Sequence, residues 1–332
     1  MRWLDKLIGR YIANKLLRAP NGGRVDARDL LPCPPLFDEA FHYTGHNGDI
    51  LAAWVMQPRA WRVSVERERV SGERLERITD QYQAPRQMNG DAPWVVIEAS
   101  DEPVTDRNRT ILLLHGWWDS VLGRPYLRSL ATQFASAGYR VVMPDLRGHG
   151  LSQGRFLSYG LLDRYDIKHL IDELAERGWV GDGVGVFGHS YGGNVALMTA
   201  AEDERIRAVV SASAPHSLRG VLPASVDRVK PQIARWVSMA ALDRAIERAN
   251  RKTGLNYYDS SAEEAITKTT APVLLIHGER DTTVPFESSQ RIIRSRPEGT
   301  ETLFWPDEAH ASFFTSRMDE LRDRSLSFFD QH

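Results

Sequence analysis

The stretch VGVFGHSYGGNVALM, residues 184–198, decides how the rest of the chain is read. An apolar run leads into Gly188-His189-Ser190-Tyr191-Gly192, and a helix-forming run follows at once. A tight turn would account for the glycines alone. A nucleophile held up at a strand–turn–helix junction accounts for the serine as well. The steric reason is that such a serine sits in a strained turn whose residues two before and two after nearly touch, so both must lack side chains. In a chain with 25 glycines the pattern can arise by chance, so its surroundings must decide.

Working outward, strands and helices alternate from residue 109 on. TILLLHG is an unbroken apolar run, as expected of a strand buried on both faces of a parallel sheet. YLRSLATQFASAGY reads as an amphipathic helix ending at Gly138, and RVVMPDLRGHG as strand then loop. RYDIKHLIDELAERG is a helix, VGVFGHS a strand, GGNVALMTAAE a helix and IRAVVSASAP a strand. APVLLIHGERD and TETLFWPDEAH are strands, and RMDELRDRSLSFFDQ closes with a helix. This alternation predicts right-handed crossovers and one doubly wound, mostly parallel sheet.

Ahead of that block, NGD between two alternating runs in FHYTGHNGDILAAWVMQP signals an antiparallel hairpin. Residues 58–92 are heavily charged. WRVSVERERV alternates like an exposed strand, and ERLERITDQYQ fits strand or helix. Residues 216–269 interrupt the alternation with mostly helical sequence, which beside the carboxyl ends of strands reads as a lid. The organisation expected is an N-terminal helix and linker (1–35), a first core segment (36–215), a helical lid insertion (216–269) and a second core segment (270–332).

Composition is that of an ordinary globular protein, with 42% hydrophobic and 26% charged residues. A net charge of −2 gives no global field for nucleic acid, so no nucleic-acid partner is expected. The lone Cys33 excludes an internal disulfide framework and fits a reducing, cytoplasmic setting. No apolar run reaches membrane-spanning length. The first twenty residues are interrupted by Asp5, Lys6 and Arg10 and do not read as a signal peptide. They read as an amphipathic helix with Trp3, Leu4, Leu7, Ile8, Tyr11, Ile12 and Leu16 at three- and four-residue steps, weakened by Gly9. Such a helix docks on its own domain or a second subunit, or lies peripherally on an anionic membrane surface.

In open α/β sheets the chemistry sits where strands end. There the sequence places His115-Gly116-Trp117-Trp118, Asp145, Ser190, Asp281 and His310. A serine hydroxyl needs an imidazole to take its proton, and the imidazole needs a carboxylate to fix its tautomer. The chain order Ser190, Asp281, His310 is the nucleophile–acid–base order that accompanies this turn, although Asp145 and Asp307 also lie near strand ends. Backbone amides of Tyr191 and Trp117 are the expected oxyanion donors. His115, His149 and Arg147 are expected to brace loops, and His189 to pack. Trp118, Leu222, Trp236 and Met239 are the expected apolar pocket residues. No histidine or cysteine spacing suggests a metal, and no cofactor is expected.

The motifs LLLHGWWDS, DLRGHGLSQG, GHSYGGNVAL, PVLLIHGERDTTVP and DEAHASFF together resemble the α/β-hydrolase superfamily, over about residues 109–332. More narrowly, the chain resembles bacterial serine esterase/lipase and "serine aminopeptidase"-domain proteins. The resemblance implies Ser190 as nucleophile, Asp281 as acid, His310 as base, and Trp117 and Tyr191 as oxyanion donors. The function expected is hydrolysis of a carboxylic ester with a short- to medium-chain acyl group, the partner being that small molecule. Thioesterase, lactonase, lipase, acyltransferase or peptidase chemistry would use the same residues. A silent binding protein on the same scaffold is the reading from another class.

Overall fold

Side chains on successive strand residues point to opposite faces, so a strand buried on both sides feeds two cores. In the computed structural model, which describes residues 2–22, 31–66, 75–77, 94–123, 125–229, 231–234 and 237–332, the inner strands of the central sheet do this, while its two edge strands are only partly buried. After a first helix, α1 (Arg2–Leu16), the chain forms a hairpin of β1 (Glu39–Thr44) and β2 (Ile50–Met56), with Gly48 left-handed in the turn. The expected hairpin at NGD is therefore present.

The charged region gives a separate three-stranded antiparallel sheet. It is built from β3 (Trp61–Glu66), β4 (Leu75–Arg77) and β5 (Trp94–Ala99), in the order β3-β5-β4. WRVSVE is thus a strand as expected, and LER within ERLERITDQYQ is one too. The rest of that stretch lies outside the described residues. WVVIEA is a strand that the sequence reading passed over.

The regular block follows as β6 (Thr110–Leu114), α2 (Pro125–Ser136), β7 (Arg140–Pro144), α3 (Asp163–Glu176), β8 (Val184–His189), α4 (Tyr191–Ala200) and β9 (Ile206–Ala212). Residues 216–269 then form α5 (Leu218–Val229), α6 (Pro231–Ala234), α7 (Met239–Thr253), a 3-10 turn and α8 (Ala262–Ala265). The chain returns through β10 (Val273–Gly278), α9 (Glu287–Ser295), β11 (Thr300–Trp305), α10 (Phe313–Ser316) and α11 (Met318–Gln331). Of these, α9 and α10 were not anticipated, α9 being short and polar in sequence and α10 a single turn of four residues.

The eight strands lie in the order β1-β2-β7-β6-β8-β9-β10-β11. β2 pairs antiparallel with both β1 and β7, and every pair from β7 to β11 is parallel. The chain steps from β6 outward to β7 and then back across to β8. That reversal opens a crevice beyond the carboxyl ends of β6 and β8, where an open α/β sheet binds ligands.

Leu112, Leu114, Val142, Val184 and Val186 enter one core with α3 and α4. Ile111, Leu113, Val141, Met143 and Phe187 enter the other with α2 and α11. Complete burial of each such side chain contributes about 1.5–3 kcal/mol, so the two cores dominate the hydrophobic stabilisation.

The N-terminal helix is docked on its own chain. Its inward residues Ile12, Ala13 and Leu16 are buried, while Leu7 and Tyr11 are 53% and 41% exposed. α1 runs along α7 with Asp5 on Arg244 (2.9 Å) and Ser238 (2.9 Å), and Asn14 on Lys252 (2.8 Å). A Cβ on Gly9 would stand 3.0 Å from the Ala241 carbonyl oxygen, so the glycine that weakens α1 in isolation permits the close crossing. The linker is tied at both described ends. Asn21 donates to the carbonyls of Gly150 and Ser152, and the Trp54 indole donates to that of Pro32. Among the described residues no helix is long and apolar enough to cross a membrane.

Candidate active site

Ser190 stands between the end of β8 and the start of α4 with φ 55° and ψ −115°. Such a conformation in a residue with a Cβ costs about 1–3 kcal/mol and persists only where neighbours enforce it. They do so here through Ser190 N–H on the Ala212 carbonyl (2.7 Å) and Asn194 N–H on the Ser190 carbonyl (3.2 Å). A Cβ on Gly188 would lie 2.2 Å from the Gly192 carbonyl oxygen, and one on Gly192 2.4 Å from that of Leu114. Both glycines are therefore sterically obligatory.

His310 follows β11 and Asp281 follows β10. The Ser190 hydroxyl lies 2.9 Å from His310 Nε2, and His310 Nδ1 lies 2.6 Å from Asp281 Oδ2. In that register His310 Nδ1–H donates to the carboxylate, and Nε2 is the acceptor facing the hydroxyl. Asp281 is saturated. Its Oδ1 accepts the amides of Thr283 (2.7 Å) and Val284 (2.9 Å). Burial would raise this carboxyl, but the charge of His310 and hydrogen bonds from His277 and His310 outweigh it and hold it well below the usual carboxylate range.

The other two carboxylates near strand ends are elsewhere. Asp145 accepts the amides of Val121 and Leu151 (both 2.7 Å), and Asp307 pairs with Arg317 (2.9 Å) at the surface.

Two further histidines support this chain, and the sequence reading missed the role of one. His277 places Nε2 3.2 Å from Asp281 Oδ2 and 2.9 Å from the Val284 carbonyl. Its Nδ1 lies 2.7 Å from the Ser289 hydroxyl. A carbonyl can only accept, so Nε2 carries the proton and Nδ1 takes that of Ser289. The available signal was the spacing of His277 four residues before Asp281. His189, expected to pack, also has a polar task, with Nε2 on the His310 carbonyl at 3.1 Å and Nδ1 3.2 Å from the Tyr126 hydroxyl.

The turn after β6 abuts the serine, a Cβ on Gly116 lying 3.5 Å from Ser190 Cβ. Among the described residues the amides of Trp117 and Tyr191 donate no hydrogen bond. His115 braces this turn as expected, Nδ1 on the Gly116 carbonyl (2.8 Å) and Nε2 accepting the Leu146 amide (3.0 Å). Arg147 grips Asp166 through two bonds (2.8 and 2.6 Å), and His149 rests on the Arg147 carbonyl at 3.0 Å. Burial drives the His149 ring well below the ordinary histidine range and keeps it neutral.

Above Ser190 lies a cavity of about 80 Å³. Leu222 and Trp117 line it, together with Leu218, Val221, Val284, Tyr159 and Leu16. Leu16 belongs to α1, whose last turn is fixed by the Tyr159 hydroxyl donating to its carbonyl (3.0 Å). Burial pushes the Tyr159 and Tyr191 hydroxyls well above the ordinary tyrosine range, so both stay neutral donors.

Two expected pocket residues are placed elsewhere. Trp118, at φ 59°, turns its ring to solvent beneath Arg18. Met239 stands exposed at the first position of α7, whose inward face is Ala241, Leu242, Ala245 and Ile246. Trp236 lies outside the described residues. No group of three or more His, Cys, Asp or Glu among the described residues could hold a metal.

The sequence matches the family model described as "Alpha/beta hydrolase family" over residues 111–324. The chain belongs to the alpha/beta hydrolase family. It is 25% identical to an uncharacterized Bacillus subtilis protein, YqkD, over 68% of this chain and 72% of that protein. It is likewise 25% identical to a monoacylglycerol lipase of Mycolicibacterium smegmatis, over 69% of this chain and 91% of the lipase. Among solved structures, the Pyrococcus furiosus esterase Pf2001 superposes with a TM-score of 0.62 at 18% identity, covering 91% of this chain and 96% of that one. That likeness shows the alpha/beta hydrolase fold.

Proposed function

We propose that this alpha/beta hydrolase is a serine hydrolase that cleaves a carboxylic ester. The observation that carries the reading is the chain Ser190 Oγ, His310 and Asp281, at 2.9 and 2.6 Å, at the floor of an apolar cavity. Ser190 Oγ attacks the acyl carbon while its proton passes to His310 Nε2, and the carbonyl oxygen becomes an oxyanion held by the amides of Trp117 and Tyr191. Asp281 stabilises the imidazolium. Collapse of the tetrahedral intermediate breaks the acyl–oxygen bond as His310 returns the proton to the departing alcohol. Water, deprotonated by His310, then attacks the acyl-enzyme, and the acyl–Oγ bond breaks as His310 returns that proton to Ser190 Oγ and the acid is released.

The cavity is small beside the roughly 300 Å³ at which pockets for larger ligands begin, which favours a short- to medium-chain acyl group. α5 contributes Leu218, Val221 and Leu222 to its wall, in keeping with residues 216–269 acting as a lid. The similarity to a monoacylglycerol lipase agrees with ester chemistry.

Labelling with a fluorophosphonate probe, followed by peptide mapping, tests the reading without a guessed substrate. An adduct on Ser190 that vanishes in His310→Ala is expected. No adduct on folded protein overturns it.

A further inference from the structure

We propose that the cavity above Ser190 accepts an ester bearing a second, anionic group, a carboxylate or phosphate, and that Arg228 holds this group. The inference rests on Ser190 being the nucleophile. Leu218, Val221, Leu222, Ser225 and Arg228 all line the cavity, and their spacing of three, one, three and three places them on one face of α5. The stripe begins apolar and ends polar. A substrate lying along it meets hydrocarbon first and a guanidinium at the far end, roughly 15 Å of helix from Leu218 to Arg228.

Arg228 is the one charged residue among the described residues lining the cavity, so no carboxylate there neutralises it. Among the described residues it has no ion-pair or hydrogen-bond partner. Arg219 on the same helix, by contrast, is clasped by Asp243 at 2.7 and 3.1 Å. A cation in the last turn complements the helix dipole, which explains a basic residue at this position. It does not explain why that residue borders the cavity with its fork unengaged. A guanidinium presents paired donors that match the oxygens of carboxylate or phosphate.

Two more groups fit a partly polar guest. Asn194 Oδ1 and Trp117 Nε1 are buried without hydrogen-bond partners, and both residues line the same cavity. An exposed ion pair is weak in water, but a substrate that displaces water from the cavity lowers the local dielectric and strengthens it.

The test compares monomethyl adipate and monomethyl suberate with methyl hexanoate and methyl octanoate, hydrolysis being followed by pH-stat. The wild type is expected to favour the anionic esters. Arg228→Gln should lower kcat/KM for them about tenfold, equivalent to about 1.4 kcal/mol, and change the neutral esters less than twofold. Arg228→Lys, which keeps the charge and loses the fork, should fall between. Equal effects on both classes, or a wild type that prefers the neutral esters, overturn the proposal.

If the wild type hydrolyses neither class, the reading of Ser190 fails instead. The anion site is then judged by calorimetric binding of monomethyl suberate and methyl octanoate to the Ser190→Ala protein, and equal affinities overturn it. Competition by hexyl phosphate, hexanoate and hexanol names the anion preferred, and inhibition by hexanol equal to both anions overturns the site.

Discussion

His277 Nε2 lies 3.2 Å from Asp281 Oδ2, the same oxygen that accepts His310 Nδ1 at 2.6 Å. One carboxylate oxygen thus serves two buried imidazoles, and its partner oxygen serves two backbone amides. The carboxylate cannot rotate without losing several charge-assisted bonds, each worth about 1.5–3 kcal/mol. Its direction, and through it the orientation of His310, is therefore fixed before any substrate arrives.

Removing His277 should loosen this arrangement without touching substrate. His277→Leu is expected to lower kcat about tenfold with KM nearly constant. The acid limb of the pH–rate profile should move to higher pH, because a carboxylate with one donor fewer holds an imidazolium more tightly. His277→Gln, which keeps a donor, should recover most of the loss. Steady-state kinetics across pH decide the matter, and an unshifted limb with unchanged kcat would free His277 of any part in the reaction.

Asp281 also couples stability to pH. Its carboxyl is held low in the folded chain, so its contribution to stability is present above the ordinary carboxylate range and is lost as pH falls below about 4. Asp281→Asn has no proton to take up. Denaturant unfolding between pH 6 and 3 should show a shallower loss of stability for the variant than for the wild type. Parallel curves would mean that the native environment does not depress this group.

The crossing of α1 on α7 gives a packing prediction. Gly9→Val places carbon where the Ala241 carbonyl and the Arg244 side chain already stand, at 3.0 and 3.2 Å. Overpacking of this kind costs about 1–3 kcal/mol. The melting temperature should fall accordingly. KM should rise as well, because α1 carries Leu16 into the cavity wall. A variant with wild-type melting and KM would show that α1 is not held by this contact.

Arg147 and Asp166 form a bidentate pair with both side chains buried. Arg147→Ala leaves a buried carboxylate without its cation, a change that costs about 3–5 kcal/mol. Urea denaturation should report a loss of that size, with a smaller one for the double variant Arg147→Met, Asp166→Leu. If the double variant were the less stable, the pair itself would be the source of stability.

The local chemistry of this protein was legible in its sequence. Gly188 announces the strained turn because its steric conflict is with Gly192, four residues on, whereas Gly192 itself is required by the Leu114 carbonyl of the neighbouring strand. The hairpin at NGD declares itself by a pattern repeating every two residues, and the inner parallel strands by unbroken apolar runs such as TILLL. The chain order of Ser190, Asp281 and His310 follows from each standing just past a strand end.

What surrounds the site was not legible, because packing between distant segments decides it. Leu16 reaches the cavity only because Gly9 lets α1 lie against α7, more than two hundred residues later. The choice of Asp281 over Asp145 depends on which loop faces His310. Trp118 was expected inside and turns outward because a positive φ reverses its direction, whereas Arg228, unremarked in the sequence, borders the cavity because α5 presents that face. Short-range sterics and periodicity belong to the sequence; the walls of the cavity belong to contacts that exist only once the sheet and its helices have come together.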